Sequence, residues 1–348
     1  MRWIELRSDT QTKPTAEMRR AMYEAEVGDD VSGEDPTVNK LEEVSAQKLG
    51  KEAALFVTSG TMGNIVSVMT HVQRGDEILL EAQSHIYFYE VGGLAALAQA
   101  IPLLVQGRRF SILHPDDVKA AIRAPNIHYA TPRLMCLENT HNRGGGTVMP
   151  PERMAELKQV AGSKGMAVHL DGARVFNAAV ALGVDVREIT KHVDSVQVCL
   201  SKGLCAPVGS VVAGPKAFID KARKNRKMLG GGMRQAGVIA AAGLVAITKM
   251  VSRLAEDHAK ARTLAEGLAN IRGMDVDLEA VQSNLVSYDV AGTGLSGAEY
   301  VEKLRLQGVK CGAQGLTRIR MVCHNDVSMD DIKETIRIVD GVVSGRLG

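Results

Sequence analysis

Short, continuous apolar runs alternate with helical patterns between residues 41 and 213. They do not alternate strictly between apolar and polar residues, so they are typical of strands buried on both faces, as in a parallel sheet flanked by helices. In chain order the runs read AALFV, EILLE, IPLLV, LMCLE, AVHLD, SVQVCLS and SVVAG. Helical patterns lie between most of them, such as LEEVSAQKLG, which ends at Gly50, and PDDVKAAIRA, which begins at Pro115. This order predicts an α/β fold with a doubly wound, mostly parallel sheet.

The pattern changes after Gly232. One Ala-rich helical stretch is predicted from about residue 235 to 268, followed by a strand near Met274. After these come a strand LVSYDV, a helix SGAEYVEKLRLQ, a strand TRIRMV and a last helix from Ser328. We therefore predict a large domain over residues 1–250 and a smaller C-terminal α+β domain over residues 251–348.

Charge and composition exclude several classes of protein. The 348 residues include 42 basic and 40 acidic side chains, and nucleic-acid binders usually have a clustered basic excess, so we expect no nucleic-acid partner. The one basic run, KARKNRK, is typical of a solvated helix face. No stretch approaches about 18 uninterrupted apolar residues and no apolar leader is visible, so we expect no membrane segment. Five cysteines without CxxC spacing indicate reduced core thiols and a cytoplasmic location.

Two of the predicted strands end in reactive residues. The segment VHLDGARVF has Asp171 at the end of one strand, and VCLSKG has Lys202 at the end of another. A lysine amine forms a Schiff base with the aldehyde of pyridoxal 5'-phosphate. A carboxylate keeps the pyridine nitrogen of that cofactor protonated, so that the ring withdraws electrons. The pair therefore predicts pyridoxal 5'-phosphate as the cofactor.

Two glycine-containing motifs are candidate phosphate sites. The segment TSGTMGN, residues 58–64, follows a strand and opens a helix, whose free N–H groups and positive dipole end favour a phosphate. The segment GTGLSG, residues 292–297, matches the dinucleotide pattern, but no acidic residue ends the next strand and Ser296 fits a helix N-cap. We interpret it as a turn, and a nucleotide-dependent oxidoreductase remains the remote alternative. The chain contains no P-loop, HExxH or GxSxG motif, and no metal site is predicted.

Four further polar residues are candidates on their position alone. His85 follows the strand EILLE at the edge where catalytic loops lie in open α/β sheets. Arg174 lies one helical turn after Asp171, and its planar fork suits a carboxylate or a phosphate. Arg320 is a charge inside an apolar strand, so it needs a partner, either a structural acid or a substrate carboxylate. His128 has no signal of its own, and its sequence context favours a loop or core histidine.

These motifs together resemble the low-specificity L-threonine aldolases, which belong to the fold type I pyridoxal phosphate enzymes. The resemblance covers nearly the whole chain and rests on LRSDT, VGDDVSGEDPTVNKLE, SGTMGN, ENTH, HLDGAR, CLSKGLCAPVGS, KMLGGGMRQAG and RMVCHNDVS. It implies reversible retro-aldol cleavage of L-threonine, L-allo-threonine or other β-hydroxy-α-amino acids to glycine and an aldehyde. It also implies a homotetramer with active sites at subunit interfaces. Another pyridoxal phosphate reaction, such as transamination or β-elimination, is the nearer alternative.

The resemblance implies a role for each matching residue. Lys202 would hold the cofactor covalently, and Asp171 would pair with its pyridinium nitrogen. The cofactor phosphate would be bound by Gly60 and Thr61, helped by Arg234 and by Lys227, from the same or a neighbouring subunit. The substrate carboxylate would be held by Ser8, Arg174 and Arg320, with Arg174 also beside the cofactor. His85 would stack on the cofactor ring, and His85, or a water held by His85 and His128, would take the substrate hydroxyl proton.

The chain departs from the family pattern at a few positions. Gly63 stands where relatives often have serine, and Cys205 stands where glycine is common. Tyr87 and Phe88 lie in a variable stretch after His85. We expect these differences to affect phosphate contacts or the range of substrates rather than the core chemistry.

Overall fold

A computed structural model describes residues 2–347. Its strands are β1 (Ile4–Glu5), β2 (Ala53–Val57), β3 (Glu77–Glu81), β4 (Ile101–Val105), β5 (Pro132–Glu138), β6 (Ala167–Asp171), β7 (Ser195–Cys199), β8 (Ser210–Gly214), β9 (Leu285–Asp289), β10 (Val309–Lys310), β11 (Gly312–Ala313) and β12 (Arg318–Val322). Its α-helices are α1 (Ala16–Tyr23), α2 (Pro36–Leu49), α3 (Gly60–His71), α4 (His85–Phe88), α5 (Gly93–Ala96), α6 (Pro115–Ala121), α7 (Pro151–Ser163), α8 (Val175–Leu182), α9 (Val186–Thr190), α10 (Lys216–Met228), α11 (Gly237–Lys249), α12 (Leu254–Ala269), α13 (Gly297–Leu306) and α14 (Met329–Val343).

The central sheet has seven strands in the order β2-β8-β7-β6-β5-β3-β4. All neighbouring strands are parallel except β8, which is antiparallel to both β2 and β7. The seven predicted strands and the mostly parallel sheet are therefore confirmed. Burial on both faces holds for β3, β7 and β8 but is wrong for β4, because this strand is at the edge of the sheet and Ile101 is 48% exposed.

Short polar signals set the ends of the helices that flank the sheet. The Asp35 carboxylate accepts hydrogen bonds from the N–H groups of Thr37 and Val38, and Pro36 occupies the first turn of α2, where no N–H is needed. The same helix ends at Gly50, whose φ of 61° favours glycine because other residues are strained there. Ser59 caps α3 by accepting from the N–H of Met62. These caps fix where each strand passes into its helix, and so where the loops at the sheet edge lie.

The C-terminal part is built on the antiparallel sheet β11-β12-β9. Its hydrophobic core combines residues from α12, α13 and α14 with Ile4 and Leu6 from the N-terminal end of the chain. Strand β1 also pairs in parallel with β10, which ties that end to this part. The division into domains near residue 250 stays a prediction.

The predicted Ala-rich helical region over residues 235–268 is helical, but it is divided in two. The chain forms two helices, α11 and α12, which meet at an angle of 71°. Met250 and Leu254 are both buried on either side of the break, so the bend turns α12 away from the first core and onto the second. Within residues 2–347 no single helix has the length and apolar character to cross a membrane; only this bent pair, taken together, has them.

Two loops also test the predictions for the C-terminal part. No strand forms near Met274, where Asp275 makes only an isolated bridge with Asp289. The GTGLSG segment is a turn, as predicted: Gly294 has a φ of 79°, and Ser296 caps α13 through a capping box with Glu299.

Candidate active site

The carboxyl ends of the parallel strands meet at one edge of the central sheet, which is where ligands bind in open α/β folds. Asp171 ends β6, Lys202 follows β7, and His85 follows β3 at this edge. A cleft of about 310 Å³ opens there. It is lined by Ser8, Thr10, His85, Tyr89, Asn142, Arg174, Lys202, Gly312, Ala313, Gln314 and Arg320. Of the predicted site residues, four flank this cleft with Lys202, namely Ser8, His85, Arg174 and Arg320.

Lys202 lies in a turn whose backbone is held from two directions. The Thr12 hydroxyl donates to the Lys202 carbonyl (2.9 Å), and the Arg253 guanidinium donates to the Gly203 carbonyl (3.3 Å). Among residues 2–347, no group forms a hydrogen bond or an ion pair with the Lys202 side-chain amine. The amine is therefore free in the cleft while its backbone is fixed.

Asp171 lies beneath the cleft and is only 2% exposed. Its Oδ2 accepts from the side-chain amide of Asn64 (2.9 Å), and its Oδ1 accepts from the N–H of Ala173 (3.1 Å). The Gln197 amide, oriented to satisfy its neighbours, donates to the same Oδ1 (3.1 Å) and accepts from the Ser210 hydroxyl. Three donors therefore hold a buried carboxylate that has no cationic partner within hydrogen-bonding distance.

His85 is held by two carboxylates. Its Nδ1 is 2.9 Å from Glu90 Oε1, and its backbone N–H donates to Glu138 Oε2 (2.6 Å). Burial lowers the pKa of His85, but the Glu90 hydrogen bond and the charge of Asp171 outweigh it, so the pKa is raised. Burial likewise raises the pKa of Glu90. The ring is thus fixed in orientation and kept easily protonated beside the cleft.

The two arginines of the cleft have different partners. Arg174 donates through Nε and Nη2 to the two oxygens of Asp9 (both 2.8 Å), and the pair is almost fully buried. Arg320 Nη1 donates to Asn142 Oδ1 (3.1 Å), whereas its buried Nε has no partner among the described residues. An unsatisfied buried donor is costly, and a guanidinium N–H fits an anionic oxygen. Arg320 Nη2 also donates to the Arg7 carbonyl (3.3 Å), so Nε is the group of Arg320 left for a carboxylate. Most of the Arg174 fork is already used by Asp9.

Ser8 and the start of α3 provide neutral donors and acceptors. The Ser8 hydroxyl caps a short turn by accepting from the N–H and the hydroxyl of Thr10. At the start of α3 the Ser59 hydroxyl accepts a hydrogen bond from the N–H of Met62. The N–H groups of Gly60 and Thr61, by contrast, have no partner among residues 2–347. A Cβ at Gly60 would lie 2.8 Å from Cys199 Sγ, so a side chain does not fit there.

Lys227 and Arg234 lie outside the cleft. Both are exposed, and Arg234 forms an ion pair with Asp29 (2.7 Å). The glycine-rich loop between them packs closely against Met62, in the first turn of α3. A Cβ at Gly231 would lie only 2.5 Å from the Met62 sulfur. The two cations therefore belong to the same side of the molecule as the free N–H groups of α3.

His128 is not brought to the cleft of its own chain. It lies in an exposed loop before β5, at the opposite end of that strand from Glu138, and its backbone N–H donates to Asn126 Oδ1. Its neighbour Ile127 is 95% exposed. Any role of His128 in catalysis would require a second copy of the chain.

Sequence reasoning missed several polar residues that shape the site. They are Asp9, Asn64, Glu90, Glu138, Asn142, His169 and Gln197. Some had a detectable signal, since Glu138 and Gln197 interrupt apolar strands and a buried charge or amide needs a partner. His169 likewise interrupts the apolar strand β6. The remaining residues lie in turns, in loops or within helix α3, and the local pattern gives no sign of their contacts.

These features fit pyridoxal phosphate. The free amine of Lys202, the buried Asp171 carboxylate without a cation and the open N–H groups of Gly60 and Thr61 match the aldehyde, ring nitrogen and phosphate of that group. Bound there, the cofactor would gain its covalent link from Lys202 and its protonated ring from Asp171. A ligand with only an aldehyde, or only a phosphate, would account for some of these residues and leave the others without a role.

Comparison with known proteins gives a consistent result. The model of the beta-eliminating lyase family matches residues 5–291. Low-specificity L-threonine aldolase 1 of Arabidopsis thaliana is 46% identical, over 97% of this chain and 95% of the relative. The low specificity L-threonine aldolase of Escherichia coli K12 is 41% identical, over 95% and 96%. A threonine aldolase structure from Leishmania major has the same fold, with a TM-score of 0.81, 18% identity and 99% of both chains covered. The chain thus belongs to the beta-eliminating lyase family, as a fold type I, pyridoxal phosphate-dependent lyase related to the low-specificity L-threonine aldolases.

Proposed function

We propose that the protein cleaves L-threonine, L-allo-threonine and other β-hydroxy-α-amino acids to glycine and an aldehyde, in a reversible retro-aldol reaction. One observation carries the proposal: a free Lys202 amine and a His85 ring held by Glu90 line one cleft above the buried Asp171. The two relatives described above, 46% and 41% identical to this chain, are called low-specificity L-threonine aldolases, which supports the same substrates.

The cleft supplies the groups that would bind and orient the amino acid. Arg320, with its free Nε, would bind the substrate carboxylate, and the Ser8 hydroxyl would add a hydrogen bond. Arg174 would contribute positive charge while Asp9 keeps its guanidinium in place. Holding the carboxylate in this way lets the Cα–Cβ bond be presented in one orientation, which removes much of the entropic part of the barrier.

Proton transfer falls to His85. When pyridoxal phosphate is bound, its ring accepts the electron pair of the breaking Cα–Cβ bond. With Nδ1 held by Glu90, the Nε2 of His85 would accept the β-hydroxyl proton, directly or through a water. The aldehyde then leaves, and a proton returned to Cα gives glycine. Lys202 would hold the cofactor before and after the reaction, and Asp171 would keep the ring nitrogen protonated.

The phosphate-binding residues are part of the proposal. The free N–H groups of Gly60 and Thr61 would bind the cofactor phosphate at the start of α3. Lys227 and Arg234 would neutralise its charge, and Arg234 would then leave or share its ion pair with Asp29.

A homotetramer with sites at subunit interfaces is proposed as well. Large apolar side chains are exposed on the single chain, among them Val91 (97%), Ile127 (95%) and Leu316 (89%). A subunit contact at these positions would remove their apolar surface from water, which is favourable. The loop of Ile127 also carries His128, so a second copy seated there would bring His128 to a neighbouring cleft. We also propose a cytoplasmic location, which the five buried free thiols support.

A β-elimination is the second candidate, because the matching family is described as beta-eliminating lyases. The two reactions differ in their products. Retro-aldol cleavage of threonine yields acetaldehyde and glycine in equal amounts, whereas β-elimination yields a keto acid and ammonia.

The deciding experiment incubates the cofactor-loaded protein separately with L-threonine and L-allo-threonine. We expect acetaldehyde and glycine in equal amounts and no keto acid. Lys202→Ala is the control, and it should lose the visible absorbance of bound cofactor and nearly all turnover. Keto acid without acetaldehyde would replace the aldolase proposal by β-elimination, and wild-type rates in Lys202→Ala would contradict the role of that lysine.

A further inference from the structure

A chain of buried hydrogen bonds runs from His71 to Asp171. His71 Nε2 is 2.7 Å from the Ser195 hydroxyl, which is 2.9 Å from His169 Nδ1. His169 Nε2 is in turn 3.2 Å from Asn64 Oδ1. The chain exists because β6 and β7 are paired with His169 opposite Ser195, while α3 lies across both strands.

When His169 is neutral, the partners of each group set one direction for every hydrogen bond in this chain. The Asn64 nitrogen contacts two carboxylate oxygens, Asp171 Oδ2 (2.9 Å) and Glu90 Oε1 (2.8 Å), so it must be the amide donor and Oδ1 must be the acceptor. His169 therefore carries its proton on Nε2. Its Nδ1 then accepts from the Ser195 hydroxyl, which in turn accepts from His71 Nε2. All donors point the same way, toward the two carboxylates at the cleft.

This direction requires His169 to be neutral, because its Nδ1 accepts a hydrogen bond, and the surroundings of both histidines favour the neutral form. Burial lowers the pKa of His71 to about 4 and of His169 to about 3. Asp194 raises the pKa of His71, whereas Lys221 and Lys158 lower it further. His71 also lowers the pKa of His169, whereas Asp171 and a hydrogen bond with the Ser195 backbone raise it without outweighing burial. At neutral pH the chain is therefore uncharged up to Asn64.

We propose that His169 and Ser195 are positioning residues, which hold the Asn64 amide so that its two N–H groups fix the Asp171 and Glu90 carboxylates under the cofactor. The role of Asp171 and Glu90 in this statement rests on the proposed function. Aligned hydrogen bonds polarise one another, so a donor at the far end strengthens the bond at Asp171. The Asn64 amide also joins the two carboxylates. It donates both to Asp171, the proposed partner of the ring nitrogen, and to Glu90, the partner of His85.

The first test needs no cofactor or substrate. Nitrogen NMR of the apoprotein labelled with ¹⁵N-histidine reports the tautomer of each ring. We expect His71 and His169 to be neutral at pH 7 with the proton on Nε2. In the Ser195→Ala variant His169 loses the donor to Nδ1, and its signal should shift. A His169 protonated on Nδ1, or charged, in the wild-type protein would overturn the proposed direction of the chain.

The second test compares two substitutions of His169. His169→Gln keeps an N–H donor near the position of Nε2, and His169→Leu keeps the volume without a donor. With pyridoxal phosphate labelled at the ring ¹⁵N, we expect the wild-type chemical shift of a protonated nitrogen in His169→Gln and a shift toward the unprotonated form in His169→Leu. We also expect about tenfold weaker cofactor binding in His169→Leu, since a buried acceptor loses its donor.

These measurements distinguish a positioning role of His169 from a folding defect, and they can fail or succeed independently of the proposed function. Circular dichroism checks the fold of each variant, and if His169→Leu does not fold, Ser195→Ala provides the same comparison. An unchanged ring-nitrogen shift and unchanged cofactor affinity in a folded variant would refute the positioning role. If the wild-type protein releases no acetaldehyde but the ring nitrogen responds to His169→Leu, the aldolase function fails and this inference stands.

Discussion

Cys205 is strained by its backbone conformation three residues after Lys202. It is fully buried with a φ of 67°, and its N–H donates to the Lys202 carbonyl (2.9 Å). Glycine adopts this left-handed conformation without the clash that a Cβ causes. The residue that departs from the family pattern is therefore also the residue that pays a conformational cost beside the reactive lysine.

We expect Cys205→Gly to be more stable than Cys205→Ala by about 1 kcal/mol, because both lose the thiol but only glycine relieves the strain. Urea unfolding of the two variants, followed by circular dichroism, gives the difference directly. Equal midpoints would mean that the turn tolerates a Cβ without cost.

His85 and Glu90 show how one contact can set a pH profile. The Glu90 hydrogen bond and the charge of Asp171 raise the pKa of His85, against burial and the charge of Lys202. Glu90→Gln removes a negative charge, so the pKa of His85 falls. Because the proposed base must be neutral, the acid limb of the kcat/KM profile should move to lower pH. Loss of the charged hydrogen bond should also reduce kcat roughly tenfold.

The pH dependence of kcat/KM in wild type, Glu90→Gln and His85→Asn checks this prediction. His85→Asn should lack that limb altogether. A limb at the same pH in Glu90→Gln would show that another group is the base.

At the scale of elements, the N-terminal segment is joined to the start of α8. Asp9 accepts from Arg174 and from the Asn284 amide (3.1 Å), and it is fully buried. Burial opposes the charge of Asp9, but Arg174 outweighs it and the pKa of Asp9 is lowered. The pair ties the segment before α1 to the large sheet and to the C-terminal part at once, which fixes one wall of the cleft.

We expect Asp9→Asn to lower the free energy of unfolding by about 3 kcal/mol at pH 7, because a buried guanidinium loses its counter-charge. Since the folded-state pKa lies below the unfolded value of about 4, this contribution is present above pH 4 and is lost as the pH falls through the folded-state pKa. The gap between wild type and variant should therefore shrink in acid.

Urea unfolding at pH 7 and at lower pH values measures this gap. Asp220→Asn is the matched control, because the Lys216–Asp220 pair is exposed and its loss should have no measurable effect. A gap that stays constant into acid would contradict the assignment to Asp9.

At the scale of the whole molecule, the exposed loop of residues 126–129 is the clearest sign of assembly. We expect Ile127→Asp to give a smaller particle than wild type in light scattering, since burying a charge at an interface is unfavourable. Lys333→Asp, on the exposed face of α14, should leave the assembly unchanged. An unchanged mass for Ile127→Asp would place the interface elsewhere.

A second prediction at this scale concerns His128. If this residue acts on a neighbouring cleft, co-expressed His128→Ala and Lys202→Ala chains should regain activity that each lacks alone, because one of the mixed sites contains both native residues. No recovery in verified mixed assemblies would restrict His128 to a structural role.

The sequence by itself determined the elements and the residues at their ends. Continuous apolar runs identified the seven strands of the central sheet, although the edge strand β4 is partly exposed. Gly50, Pro115 and Ser296 marked helix ends correctly, because these signals act within a few residues. The same local reading located Asp171 and Lys202 at the ends of their strands. The family resemblance along nearly the whole chain then indicated which reaction to expect.

Only the tertiary structure decided which side chains meet. Asn64 reaches Asp171 and Glu90, and Arg174 is bound to Asp9, through strand order, register and a loop that begins far away in the chain. The bend between α11 and α12 and the distance of His128 from the cleft are of the same kind. Periodicity reports whether a position is buried, but the partner of a buried polar group depends on contacts between distant segments, which no local pattern contains.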